Sequence, residues 1–69
     1  MIWAILTKEM HLDGKTIVSM VRGDKEQAKT EARLQASLLP PQQFSRKAWF
    51  RPATPQEVTL FSLSGNVIR

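Results

Sequence analysis

Between Ile2 and Leu6 apolar residues occupy both sides of a two-residue alternation, with Ile2, Ala4 and Leu6 on one side and Trp3 and Ile5 on the other. Such a run predicts a strand with two apolar faces, since successive side chains in a strand point in opposite directions. A chain of 69 residues readily wraps one face of a sheet and has little left for a second. The surplus face is therefore the expected working surface. Residues 2–11 and 15–22 flank Leu12-Asp13-Gly14-Lys15, and Asp-Gly between two strand-like runs predicts a hairpin with a two-residue type I′ turn. That register sets Met10 opposite Ile17, Lys8 opposite Ser19 and Leu6 opposite Val21 on one face. The other face receives Glu9 with Val18, Thr7 with Met20 and Ile5 with Arg22, with Trp3 beyond.

Gly23 ends the second strand, and Asp24-Lys25-Glu26-Gln27 has the form of a helix start, with Asp24 as N-cap and Gln27 closing a capping box. The helix is expected to run to Leu38 or Leu39, because Pro40 and Pro41 cannot continue it. Ala28, Ala32, Ala36 and Leu39 recur at helical spacing, with Lys25, Lys29 and Arg33 on a more polar side. Small alanines let the helix sit close to a sheet, and the expected contact face is Ile2, Ala4, Leu6, Met10, Ile17 and Val21. After a polar loop at Pro41 to Ser45, Arg46 to Arg51 reads as a third strand closed by Pro52. Ala48 and Phe50 then face the helix, and Lys47, Trp49 and Arg51 join Trp3 on the opposite surface. Thr54-Pro55-Gln56-Glu57 matches a capping box with proline at the first helical position, predicting a short helix through Ser64 capped by Gly65. The alternation in Val58 to Ser62 leaves a terminal strand as the alternative. The expectation is thus one α+β domain spanning residues 1–69: a small antiparallel sheet with one helix packed on it, ββαβ plus a short C-terminal helix or strand.

Composition narrows what this domain does. Apolar residues make up 42% and charged residues 23%, as in an ordinary folded domain. There is no cysteine, which rules out disulfides and thiolate metal sites and fits a reducing compartment. No apolar run approaches the roughly 20 residues of a membrane helix, and Lys8, Glu9 and His11 interrupt the N-terminal segment too early for a secretory signal. A cytoplasmic protein without membrane contact is expected. Ten Lys and Arg against six Asp and Glu give a net charge of +4, which favours polyanions or acidic protein surfaces.

No residue pattern names a reaction. The single histidine, His11, shares one side of a strand and its turn with Glu9 and Asp13, an ordinary charged hairpin rather than a metal site. Nothing sets a Ser, Thr or Lys against a base and an oxyanion donor, and the glycines at 14, 23 and 65 read as turn and cap residues rather than a phosphate loop. The expectation is a non-enzyme with no cofactor and no metal. What remains is a partner-binding face formed by Trp3, Ile5, Met20, Arg22, Lys47, Trp49 and Arg51. Trp and Arg are enriched at the centres of protein interfaces, and aromatics on a sheet can also stack bases. A second mini-core covered by the C-terminal segment is the third reading of the same residues.

The order of Lys8-Glu9, the Asp13-Gly14 turn, Gln27-Ala28-Lys29 and the Arg46 to Arg51 strand, in a short basic chain without cysteine, resembles the small accessory proteins encoded by phages and prophages, anti-CRISPR inhibitors among them. The resemblance spans most of the chain in size and element order, and carries over no functional residue. It implies a stoichiometric inhibitor that masks a surface of a larger host protein or nucleoprotein complex. The alternatives are single-stranded nucleic-acid binding through the basic-aromatic face, or a homodimer that buries Trp3, Ile5, Val18 and Met20 between copies.

Overall fold

The computed structural model describes residues 1–10, 13–40 and 44–69, with backbone alone for 44–46. The fold is α+β, with element order β1 (Ile2–Glu9), β2 (Thr16–Arg22), α1 (Lys25–Leu38), β3 (Phe44–Pro52) and α2 (Pro55–Leu63). The strands form an antiparallel sheet in the order β2-β1-β3. Because β2 and β3 both run against β1, they are parallel to each other, and α1 is the crossover of a split βαβ unit.

Both helices begin as the sequence predicts. The Asp24 carboxylate accepts from the Gln27 N–H at 3.0 Å and the Gln27 side chain accepts from the Asp24 N–H at 2.9 Å. Gly23 makes this closure fit: its φ is +144°, and a Cβ there would lie 1.5 Å from Gln27 Oε1. Thr54 and Glu57 form the equivalent box at α2, with Pro55 in the first turn and Ser64 as C-cap. The last segment is therefore the helix and not the alternative strand.

The packing departs from expectation in three ways. First, α1 lies on the odd-numbered face of β1: Ile5 clusters with Val21, Ala28 and Ala32, flanked by Trp3, Ala48 and Phe50. The even-numbered face, Ala4, Leu6 and Met20, is covered by Val58 and Phe61 of α2 together with Ile2, Ile17, Trp49, Ala53 and Ile68. No apolar face of β1 is left over; Ala4, Ile5, Leu6 and Thr7 are all buried. A nine-residue helix and a short tail suffice because only the central strand of three needs cover on both sides. Met10, expected under α1, is 55% exposed.

Second, the β1–β2 register is shifted from the expected hairpin by three residues up to Ile5 and by four beyond it. Ile5 stands opposite Ser19 and Thr7 opposite Thr16, so the connection is longer than a two-residue turn. Gly14 does not have the positive φ that both central residues of a type I′ turn need, which excludes that geometry. His11 lies outside the described residues. Third, the register slips between Ile5 and Leu6, where Ser19 and then Ile17 are the partners on β2. The extra residue, Val18, is a bulge, and it lets Ile17 and Met20 join one cluster although their numbers differ in parity.

Candidate functional site

The seven residues expected to share one surface are distributed around the molecule. Trp3 and Trp49 lie on opposite faces, because Trp49 stands across from Leu6 whereas Trp3 stands across from Pro52 and Val21. Trp3 Nε1 donates to the Gly23 carbonyl at 3.1 Å, and its ring meets Phe50 edge-on at 6.0 Å between centroids. Trp49 packs into the α2-side cluster, with Lys15 Nζ 4.3 Å from its ring centroid. Ile5 and Met20 are both 0% exposed and have no surface to offer a partner or a second copy. Arg22 is at the far end of β2, opposite Ile2. Arg51 is engaged by Glu57 through a two-pronged bond of 2.7 and 2.6 Å. Lys47 lines a surface groove together with other cations.

Arg51 and Glu57 tie β3 to α2. The Arg51 guanidinium, followed by the backbone N–H of Thr54, holds the Glu57 carboxyl down at about 2, and Glu57 in turn raises Arg51. On the other side of the sheet, Glu31 is a buried acid with three donors on one oxygen. Ser19 Oγ approaches at 2.9 Å, Gln35 Nε2 at 3.1 Å and Arg69 Nη1 at 3.1 Å. Both acids serve the architecture: each pins a C-terminal element to the sheet or to α1.

The groove that Lys47 enters runs between α1 and β3. It encloses about 250 Å³, has Ala32, Ala36, Ala48 and Phe50 as its floor, and carries Lys29, Arg33 and Lys47 on its rim. Helix α1 contacts β3 more extensively than β1 or β2, which brings its cationic flank over that edge of the sheet. Arg51–Glu57 and Arg69–Glu31 are ion pairs, and among the described residues none of the three rim cations has an acidic partner. A second groove, of about 420 Å³, lies between β2 and α2 over Ile17, Val18, Leu60 and Phe61, and its charged lining residue, Glu57, is already paired with Arg51. Among the described residues no three His, Cys, Asp or Glu side chains converge as metal ligands.

The two edges of the sheet differ. At β2, the Arg69 N–H donates to the Met20 carbonyl at 3.0 Å and the Arg22 N–H donates to the Arg69 carbonyl at 2.8 Å, so the chain's own tail covers the Met20–Arg22 end of that edge. At β3, the Ala53 N–H donates to Ile2 at 2.9 Å. Ile2 and Ala53 are thus a bonded pair, and alternation along an antiparallel ladder makes Ala4 with Arg51 and Leu6 with Trp49 the next ones. The N–H and C=O groups of Ala48 and Phe50 consequently point away from β1. Pro52 falls at the same outward parity, where its missing N–H costs no ladder bond. Among the described residues nothing pairs with this outer edge of β3.

No family model, curated protein or solved structure matches the chain. The sequence reading put Lys47 with Trp49 and Arg51 on the surface away from α1 and did not join it to Lys29 and Arg33. Its signal was the four-residue recurrence of Lys25, Lys29 and Arg33, a basic stripe on one side of α1 whose neighbour was unknown until the sheet order placed β3 beside it.

Proposed function

We propose that this chain is a non-enzymatic binding module that occupies an acidic surface of a larger protein or nucleoprotein partner through the groove between α1 and β3. The observation that carries it is the rim of Lys29, Arg33 and Lys47, three cations around an apolar floor with no acidic partner among the described residues. Cations placed together around apolar surface favour an anionic partner and speed its approach. The mode of action is stoichiometric masking, as implied by the resemblance to phage accessory inhibitors. Among the described residues no helix is long and apolar enough to cross a membrane.

The test is tagged capture from a lysate of the source cell, with and without nuclease, comparing the native chain with a Lys29→Glu, Arg33→Glu, Lys47→Glu variant. All three positions are exposed, so circular dichroism should show an unchanged fold. Nuclease-resistant retention that the variant loses supports the proposal. Equal retention by the folded variant refutes it, and retention of nucleic acid alone transfers the groove to a polynucleotide ligand.

A further inference from the structure

We infer that the groove takes an extended acidic segment of the partner protein, which adds to the β3 edge as a fourth strand; this rests on the groove being the working surface. The edge offers outward N–H and C=O groups at Ala48 and Phe50, the two residues that also floor the groove. An edge strand beside a helix is a recurrent peptide receptor, in which main-chain bonds supply affinity and flanking side chains supply selectivity. The molecule already performs the reaction at its other edge, where Arg69 donates to Met20 and accepts from Arg22. That self-pairing covers the Met20–Arg22 end of β2, whereas no described residue pairs with the outer edge of β3.

Charge decides the occupant. A second copy pairing β3 to β3 would bring two sets of Lys29, Arg33 and Lys47 against each other, and like charges directly opposed across a ladder are destabilising. Lysine beside an edge is a common guard against self-association. The same cations attract a strand carrying Asp or Glu. The edge also separates peptide from nucleic acid. Half of its outward groups are carbonyl acceptors, which a peptide strand satisfies with N–H donors, whereas a phosphate backbone presents acceptors alone. Pro52 sets one limit of the added strand, because its outward position has no donor.

The probe is a labelled, end-blocked octapeptide of alternating glutamate and valine, compared with its fully N-methylated counterpart and with a single-stranded oligothymidylate. Binding is followed by fluorescence anisotropy, and amide exchange at Ala48 and Phe50 by NMR. Saturating acidic peptide should slow exchange at both amides by at least about tenfold, and the N-methylated counterpart should bind at least about tenfold more weakly. The Ala48→Pro variant removes an outward donor while leaving the inward bonds of Trp49 and Arg51, and should lose the peptide without losing the fold. Equal binding of the N-methylated peptide, unchanged exchange at Ala48 and Phe50, full affinity in a folded Ala48→Pro chain, or tighter binding of oligothymidylate at the same edge would each overturn strand addition. If lysate capture still depends on the three cations in those cases, the groove survives as the working surface and only this mode of occupancy falls.

Discussion

The two faces of the sheet are closed by helices of different kinds. Helix α1 has fourteen residues and buries Ala28, Glu31 and Ala32, whereas α2 has nine and buries none. Alanines bring the first helix against Ile5 and Val21, close enough that a single acid, Glu31, is sealed in and must be satisfied by three donors. The second helix stands on half-buried Val58 and Phe61 and is fixed at its start by the Arg51–Glu57 pair. Leu60 and Leu63 of the same helix stay 66% and 78% exposed. A central strand with two apolar faces therefore does not imply two equal cores. One face carries packing that defines the fold, and the other a cover held by local capping and an ion pair.

The largest effect that would test this asymmetry is a paired truncation. Ile5→Ala should cost about 2–5 kcal/mol, because it opens a cavity in a fully buried cluster, a large share of what a small domain has. Phe61→Ala, from a half-buried ring, should cost about 1–2 kcal/mol. Denaturant unfolding measures both, and equal losses would break the comparison. The middle effect concerns Glu31. Glu31→Gln leaves one oxygen and adds two donors where Ser19, Gln35 and Arg69 all donate, at about 1–3 kcal/mol. Amide exchange at Arg22 and Arg69 should quicken in this variant as the tail loosens from β2, while α2 amides stay as they are.

The smallest effect is a pH dependence confined to the α2 side. Glu57 has a carboxyl lowered from 4.5 to about 2 by Arg51 and by the Thr54 N–H. A depressed carboxyl contributes stability that is fully present above its unfolded pKa and is lost as pH falls through the folded one. The contribution should hold constant above pH 4.5 and drain away down to about 2. Melting curves across that range should fall less steeply for Glu57→Gln than for the native chain, with the difference concentrated in α2 amides. An identical slope in the two proteins would remove Glu57 from the account of how α2 is held.

The signals legible in the sequence were local ones. Asp24 with Gln27 and Thr54 with Glu57 specify helix starts through bonds spanning three residues, and Pro40 ends α1 by removing a donor. Ala28 and Ala32 mark the buried stripe of α1, and Ala48 with Phe50 mark the side of β3 that meets it. The failures were non-local. Asp13-Gly14 looked like the centre of a tight hairpin, yet the ladder ends at Thr7 and Thr16. Trp3 and Trp49 looked like one surface, yet one packs under α1 and the other under α2. Glu31 carried a faint signal, a charged residue lying beside the Ala28 and Ala32 stripe, that would have marked a buried polar contact.

The sequence by itself determined the order of the elements and the type of the first four, because capping, proline stops and alternation act over a few residues, and it left the last segment between helix and strand. Only the tertiary structure decided which face of β1 meets α1, since Ile2, Ala4 and Leu6 are as apolar as Trp3 and Ile5 and a period of two cannot rank them. It also decided that β3 lies beside β1 and that Arg69 covers the Met20–Arg22 end of the opposite edge. The candidate groove depends on both decisions. A strand and a helix flank acquire a common rim of Lys29, Arg33 and Lys47 only when long-range pairing brings them together.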